Sequence, residues 1–301
     1  MTVVAVFGGL IVLLLSGMPV FAALGIAATA ILMIFEGNIG SIADTVFAHL
    51  DKPILATIPL FVFMANVMIR ARAIDDLFDL AHAVVGHIRG GLGVATVLSC
   101  TVFAAISGSS VATALSIGSS AIPQMKRFGY PERSALGVIA AGGTLGILIP
   151  PSGPMILYAI VSEVSIGALF LAGIVPGLVM ALIFSLYCIA SAGGAQTPPW
   201  AGWRKLVAAF RRSFFALLAP PVVLGGIYFG IFTASEAAAV GSLYALLVAV
   251  LVYRNFGLVE LWDCAFRAMR TSMMLFLIIA GAAMFGHAIT IIRLPHHITE
   301  A

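Results

Sequence analysis

Residues 90–123, GGLGVATVLSCTVFAAISGSSVATALSIGSSAIP, decide the fold of this chain because they contain no charged residue. As one α-helix the segment would be about 51 Å long, which is too long for one crossing of a bilayer and too short for two crossings with a turn. Near its middle lies Ser107-Gly108-Ser109-Ser110, a sequence that disfavours helix. The pattern predicts a re-entrant hairpin over residues 90–125, whose two helical arms enter and leave on one side of a membrane.

Composition indicates that lipid surrounds the rest of the chain. Of all residues, 62% are hydrophobic and 9% are charged, whereas soluble domains carry about 25% charged residues. A chain of this length could not cover so much apolar surface with a polar exterior. The net charge of +3 gives no reason to expect a nucleic-acid partner. We therefore expect an all-α polytopic membrane protein with the lipid bilayer as its main solvent.

Uncharged runs predict where the chain crosses the bilayer, since one span needs about 20 apolar residues. Two segments, residues 70–89 and 255–270, carry apolar residues on one side and predict helices at the membrane surface. A polar, proline-containing stretch, residues 191–212, predicts a linker. The predicted spans are residues 3–16, 19–35, 53–69, 166–190, 213–231, 235–253 and 271–291.

A second discontinuity is predicted within residues 134–162, another run without charge. Glycines and then Pro150-Pro151-Ser152-Gly153-Pro154 interrupt the run. Proline removes a backbone donor and opens the hydrogen-bond ladder of a helix. The segment is therefore expected to form two half-helices joined by an unwound stretch.

The distribution of positive charge predicts the orientation of the chain. If the hairpin enters from the cytoplasm, all 15 Lys and Arg residues except Lys52 and Arg293 lie on cytoplasmic segments, Arg72 among them. This asymmetry follows the positive-inside rule and places the N-terminus outside.

A weak internal repeat is also present. Gly17-Met18-Pro19 breaks one predicted span, and residues 230–236 end another span on the opposite side of the membrane. Such a pattern indicates inverted repeats, with residues 1–190 as the first repeat and 213–301 as the start of the second. Because the second hairpin would fall beyond Ala301, we expect the chain to be a fragment whose second repeat is truncated.

The two discontinuities predict an ion and substrate site. Non-helical backbone inside a membrane is tolerated only within protein or against a cavity. Small hard cations prefer oxygen ligands, which hydroxyls and backbone carbonyls supply, so a sodium ion is expected at Ser107, Ser109, Ser110 and Thr144. Small residues such as these also occur where helices simply pack together, and Gly173 and Gly177 are expected to do so. The candidate binding residues are Ser107, Gly108, Ser109, Ser110, Thr113, Gly142, Gly143, Thr144, Gly146, Pro150, Pro151 and Ser152.

Sequence marks of other functions are missing. Cys100, Cys188 and Cys264 are far apart in apolar segments, and His296 and His297 show no ligand spacing with acidic residues. The chain contains no GxSxG, HExxH or P-loop motif. The sequence therefore lacks the motifs that usually indicate a hydrolase or an ATP-driven transporter. We expect neither an enzyme nor a cofactor.

Four motifs together resemble one known family. They are FAAISGSSVATALSIGSSAIPQMKRFGY (residues 103–130), GVIAAGGTLGILIPPSGPMILYA (137–159), LFLAGIVPG (169–177) and GIFTASEAAAV (230–240). They are similar to the large membrane subunit of tripartite ATP-independent periplasmic (TRAP) transporters, and the resemblance extends through nearly the whole chain.

This resemblance implies an elevator fold of the ion-transporter superfamily, built from two inverted repeats in a bacterial inner membrane. It implies sodium-driven uptake of an organic acid such as a C4-dicarboxylate or sialic acid. A small four-span membrane subunit and a periplasmic substrate-binding protein would be its partners. The first hairpin turn of the family corresponds to Ser107-Gly108-Ser109-Ser110, and its first unwound helix to residues 142–151.

Two alternatives remain open at this stage. One is a stand-alone dicarboxylate or citrate carrier of the same superfamily, which would need no binding protein. The other is a membrane enzyme or a structural membrane subunit, for which titratable groups converging at depth would be the expected sign.

Overall fold

The computed structural model describes residues 2–71, 73–192 and 197–293, and all regular elements in these ranges are helical. Arg72, His296, His297 and residues 193–196 of the predicted linker lie outside the described residues. Two compact units can be distinguished, Met1–Leu55 with Arg270–Ala301, and Ala56–Met269. Each is described by itself below.

The first unit contains three helices and the end of a fourth. They are α1 (Thr2–Leu15), α2 (Val20–Phe35), α3 (Gly40–Leu50) and the last part of α13 (Leu258–Ile291). Helix α2 begins directly after Pro19, at the predicted break. Ala28, Leu32 and Ala288 are fully buried where α2 packs against α13. Helix α3 was not predicted from the sequence.

The second unit holds both predicted discontinuities. After a short 3-10 helix (Pro53–Ala56), the chain forms α4 to α12, and α12 continues as a π-helical turn, Val248–Tyr253. The helices are α4 (Thr57–Arg70), α5 (Ala73–Val85), α6 (Gly91–Ser107), α7 (Ser110–Arg127), α8 (Glu132–Leu148), α9 (Gly153–Ser162), α10 (Ile166–Ala190), α11 (Trp203–Tyr228) and α12 (Ala234–Leu247).

Among the described residues, six helical segments are long enough and apolar enough to span a membrane. Helix α10 shows what surrounds them, because Leu171, Val175, Leu178 and Leu182 are each more than half exposed. Their spacing forms one apolar stripe along the helix. Such a surface is stable only against lipid or another apolar partner, which confirms the prediction of an all-α polytopic membrane protein. The inverted repeat stays a prediction.

Three sequence predictions need correction. Residues 203–212, assigned to the linker, form the first turns of α11. Residues 255–270 do not form a separate surface helix, because α13 continues from Leu258 to Ile291 without a break. Helix α5 is amphipathic as expected, but its apolar residues Ile74, Leu77 and Phe78 are buried by neighbouring protein.

Candidate functional site

The hairpin turn consists of two residues between α6 and α7. Gly108 ends α6 with φ +57° and ψ 20°, a left-handed conformation that glycine adopts without strain. Ser109 is extended and begins α7, where its side-chain oxygen accepts a hydrogen bond from the Ala112 amide at 3.3 Å. A glycine C-cap followed directly by a serine N-cap therefore reverses the chain within two residues.

Two side-chain contacts show that the arms of the hairpin are antiparallel. At the closed end, Ser107 Oγ and Thr113 Oγ1 are hydrogen-bonded at 2.9 Å. Towards the open end, Thr96 Oγ1 donates to Met125 Sδ at 3.7 Å. Residues 90–123 therefore form two antiparallel helices and not one continuous rod, while their re-entry on one side of a membrane stays a prediction.

The second discontinuity separates α8 from α9. Ile149 is extended, a cis bond joins Pro150 to Pro151, and Ser152 begins α9. The Ser152 side chain accepts a hydrogen bond from the Met155 amide at 3.3 Å. All four residues of the break are buried. The unwound stretch thus lies inside the protein, as non-helical backbone in a membrane must.

The structure brings the two discontinuities into direct contact. The Gly153 amide donates to the Gly108 carbonyl oxygen at 3.4 Å. A Cβ atom on Gly108 would collide with the carbonyl oxygen of Pro151 and would lie 3.0 Å from the Ser152 Cα. The hairpin turn and the unwound stretch therefore form one site, although they lie about 40 residues apart in the chain.

Glycines on α8 allow this close approach. A Cβ atom on Gly146 would lie 2.6 Å from the Ser109 carbonyl carbon and 2.8 Å from the Ser110 nitrogen, and one on Gly143 would lie 2.9 Å from Ala114 Cβ. Gly142 meets the other arm, because its Cβ would lie 2.8 Å from Cys100 Sγ. Helix α8 is thus packed on both arms of the hairpin.

One buried hydroxyl at the site has no hydrogen-bond partner among the described residues. Ser110 Oγ is shielded from solvent but unpaired, whereas the nearby hydroxyls of Ser107 and Thr113 pair with each other. Buried polar atoms are almost always paired, so each exception calls for an explanation, and a bound ion is one that suits a turn rich in oxygen atoms. Ser110 is therefore the candidate residue whose surroundings most clearly indicate a ligand.

Two predicted residues are not brought to the hairpin turn: Gly142, which contacts Cys100 on α6, and Thr144. Thr144 lies on the exposed side of α8, about 100° around the helix from Gly143. Its hydroxyl donates to the Ala141 carbonyl oxygen at 2.6 Å, so the side chain already has an internal partner.

The glycine pair of α10 supports the unwound stretch from behind. A Cβ atom on Gly173 would lie 2.7 Å from the Leu148 carbonyl oxygen, and one on Gly177 would lie 2.7 Å from Ile149 Cγ1. The sequence indicates a packing motif through this spacing, but it does not reveal that the partner is the end of α8.

The four helix ends give the site both signs of partial charge. The carbonyl ends of α6 and α8 carry partial negative charge, and the amide ends of α7 and α9 carry partial positive charge. Within the described residues no three His, Cys, Asp or Glu side chains group as metal ligands. Hydroxyl and carbonyl oxygens remain as donors, and these suit a hard cation better than a transition metal.

Comparison with known proteins gives a consistent result. Residues 7–301 match the family described as "Tripartite ATP-independent periplasmic transporter, DctM component". Over 275 residues the chain is 41% identical to the C4-dicarboxylate TRAP transporter large permease protein of Pseudomonas aeruginosa, covering 91% of this chain and 64% of that protein. The ectoine TRAP large permease of Halomonas elongata is 35% identical, covering 96% of this chain and 69% of its own length. The sialic acid TRAP large permease of Vibrio cholerae is also 35% identical, with 96% and 68% covered.

Proposed function

The chain belongs to the DctM family of tripartite ATP-independent periplasmic transporter components, and from this we propose that it serves as the large permease subunit of a sodium-coupled importer of small organic acids. It is a multi-pass protein of a bacterial inner membrane. The observation that carries the proposal is the contact between the two helix discontinuities, at Gly108 and at Pro151-Ser152.

The proposed ion site lies at the hairpin turn. Hydroxyls of Ser107, Ser109 and Ser110, together with carbonyl oxygens at the end of α6, provide the oxygen ligands that sodium prefers. The unpaired Ser110 Oγ supports this assignment, since an ion would satisfy a buried oxygen that otherwise lacks a partner. Thr144 is left out of the proposed site because it lies on the exposed side of α8, away from the hairpin turn.

The proposed substrate is a small carboxylate. The relatives named above are permeases for C4-dicarboxylates, ectoine and sialic acid, and each of these solutes carries a carboxylate group. Backbone amides at the starts of α7 and α9 would bind such a group, as helix N-termini bind anions elsewhere. Glycine at position 108 lets the hairpin turn pack directly against Pro151 and Ser152, which brings the starts of α7 and α9 together.

Coupling follows if sodium stabilises the geometry that binds the carboxylate. A cation at the carbonyl ends of α6 and α8 would reduce the mobility of the turn and place positive charge beside the substrate. By linkage, the substrate would then increase sodium affinity by the same factor. We further propose that α6 to α9 move together during transport, with a small membrane subunit and a periplasmic binding protein as partners.

Uptake in proteoliposomes tests this proposal with the full-length protein, its small subunit and its binding protein. A sodium gradient should drive accumulation of a radiolabelled carboxylate, and an equal potassium gradient should not. The double variant Ser109→Ala, Ser110→Ala should lose at least about tenfold in sodium-driven rate, because both hydroxyls would leave the ion site.

The matched control is Ser119→Ala on the exposed side of α7, where the hydroxyl donates to the Ser116 carbonyl oxygen. It should transport as the unaltered protein does. Uptake that is indifferent to sodium would refute the coupling proposal. Sodium-driven uptake that survives the double substitution would refute the placement of the ion.

A further inference from the structure

A cavity lies in the same unit as the hairpin turn, but it is lined by other residues. It has a volume of about 450 Å³ and is formed by α5, the first turns of α11 and the residues that precede α11. This volume is within the range of small-molecule sites. None of the predicted binding residues lines it.

The two walls of this cavity carry opposite charges, and the charged side chains do not form ion pairs with each other. Asp76 and Asp79 lie on α5, while Lys205 and Arg212 lie on α11. Among the described residues, no ion pair of 4.0 Å or less joins the two walls. The walls are tied together by another contact, in which Ser213 Oγ donates to the Asp76 backbone oxygen at 2.8 Å. This contact holds α11 against α5 beside the cavity.

Partial burial destabilises the ionised form of these two carboxylates, and a nearby cation would stabilise it. Burial raises the pKa of Asp76 and of Asp79 above the ordinary value. The Tyr253 hydroxyl and then Arg212 oppose the rise at Asp76 without cancelling it. His82 and then Arg212 oppose it at Asp79, again without cancelling it. On the same helix, burial lowers the pKa of His82, so this neighbour contributes little positive charge at neutral pH. A cationic group in the cavity would restore to the carboxylates the stabilisation that desolvation removes.

The cavity opens next to an exposed apolar surface of α11. Trp200, half exposed, lines the cavity and packs edge-to-face on Trp203 with ring centroids 5.6 Å apart. Trp203 begins an exposed apolar stripe on α11 that continues through Val207, Phe210 and Phe214. Tryptophan is typical of the membrane–water interface. The charged cavity thus lies where a lipid headgroup would lie, beside a surface suited to acyl chains.

We propose that this cavity binds the phosphoethanolamine headgroup of a membrane phospholipid, with its ammonium towards Asp76 and Asp79 and its phosphate towards Lys205 and Arg212. An anionic headgroup alone would be repelled by the carboxylates, and a cation alone by Lys205 and Arg212. A zwitterion satisfies both walls with charge-assisted hydrogen bonds. The orientation predicted from the positive-inside distribution would put this site at the cytoplasmic leaflet, where basic pockets between helices bind lipid headgroups. This inference is independent of the transport proposal.

Native mass spectrometry of the full-length protein in detergent tests the site. The protein is titrated with phosphatidylethanolamine, phosphatidylcholine and phosphatidylglycerol of equal chain length, and with soluble phosphoethanolamine. Phosphatidylethanolamine should be retained most strongly. The double variant Lys205→Gln, Arg212→Gln should weaken its binding by about tenfold, because the phosphate loses its partners. The double variant Asp76→Asn, Asp79→Asn should abolish the preference over phosphatidylglycerol.

The matched control is Arg204→Gln with Arg211→Gln, which removes the same charge from the same helix but from residues that do not line the cavity. It should retain lipid as the unaltered protein does. If the double Asp variant does not fold, Asp79→Asn alone serves, since Asp79 is the more exposed of the pair. Stronger binding of phosphatidylglycerol, equal displacement by soluble phosphoethanolamine, or binding unaffected by all cavity substitutions would overturn the proposal.

Discussion

Two turns of this protein have the same local construction but opposite surroundings. At the hairpin turn, Gly108 has φ +57° and Ser109 caps the next helix. At the turn between α11 and α12, Gly230 has φ +68° and Thr233 caps the next helix. A Cβ atom on Gly108 would collide with Pro151, whereas one on Gly230 would meet nothing within 4 Å. The first turn is enclosed by a second discontinuity, and the second turn is open.

The hydroxyls of the two turns differ in the same way. Thr233 and Glu236 form a closed capping box, in which the Glu236 carboxylate accepts from the Thr233 amide at 2.8 Å and from its hydroxyl at 2.9 Å. At the hairpin turn, Ser110 Oγ is buried and unpaired. A turn that satisfies all of its polar groups is a structural element. A buried turn that leaves an oxygen unpaired has capacity for a ligand.

The largest expected change in stability is for alanine at Gly108, and it should exceed the change for alanine at Gly230. Gly108→Ala should lower the free energy of unfolding by about 2–5 kcal/mol, because left-handed strain adds to a collision with Pro151. Gly230→Ala introduces only the strain, about 1–2 kcal/mol. Thermal unfolding in detergent measures both variants. Equal losses would mean that the hairpin turn is not enclosed by the unwound stretch.

A smaller effect is expected from the helix packed under the turn. Gly146→Ala should destabilise by about 1–3 kcal/mol, since the added methyl would press on the backbone of Ser109 and Ser110. On the same helix, a Cβ atom on Gly137 would meet nothing within 4 Å. Gly137→Ala should therefore stabilise by up to about 1 kcal/mol through helix propensity. Denaturant unfolding of the two variants measures both changes in the free energy of unfolding. If the two changes have the same sign, the packing of α8 on the hairpin is contradicted.

The backbone of the site could be predicted because its signals are local. The glycine and serines at residues 107–110 and the two prolines at 150–151 interrupt long apolar runs, and each interruption became a helix break. The hairpin predicted over 90–125 is observed as two helices from Gly91 to Arg127. Capping and proline geometry act within a few residues, so one sequence suffices to locate them.

The parts that could not be predicted depend on contacts between distant segments. Thr144 has the chemistry of an ion ligand, but helix geometry leaves it on the exposed side of α8. Sequence spacing does not show which side of α8 packs on the hairpin. Residues 255–270 resembled a second surface helix, but no proline or glycine ends the helix at Arg270 and α13 continues to Ile291. The cavity between α5 and α11 likewise depends on tertiary packing alone.

A modest effect on folding is expected at the open turn. Thr233→Ala removes the hydroxyl that accepts from the Glu236 amide, and loss of an N-cap costs about 1 kcal/mol. Glu236→Gln tests the other half of the capping box. It should lower the free energy of unfolding by less, because the side-chain amide oxygen of Gln can still accept from the Thr233 amide. Neither variant should change the response to sodium. A sodium response altered by Thr233→Ala would mean that the open turn also serves the ion.

The smallest effect on folding, and the most informative for function, is expected at Ser110. Without sodium, Ser110→Ala should change the free energy of unfolding by less than about 1 kcal/mol, because it removes a buried oxygen that has no partner. With sodium, the unaltered full-length protein should gain thermal stability in proportion to ion binding, since a ligand that binds only the folded state stabilises it. The variant should lose that gain.

Ser119→Ala on the same helix should keep the full sodium shift, with potassium chloride maintaining ionic strength in all samples. If Ser110→Ala also keeps the shift, the unpaired hydroxyl is not an ion ligand and the difference between the two turns has no functional meaning. If the shift disappears while the sodium-free stability is unchanged, the hydroxyl contributes to ion binding and not to folding.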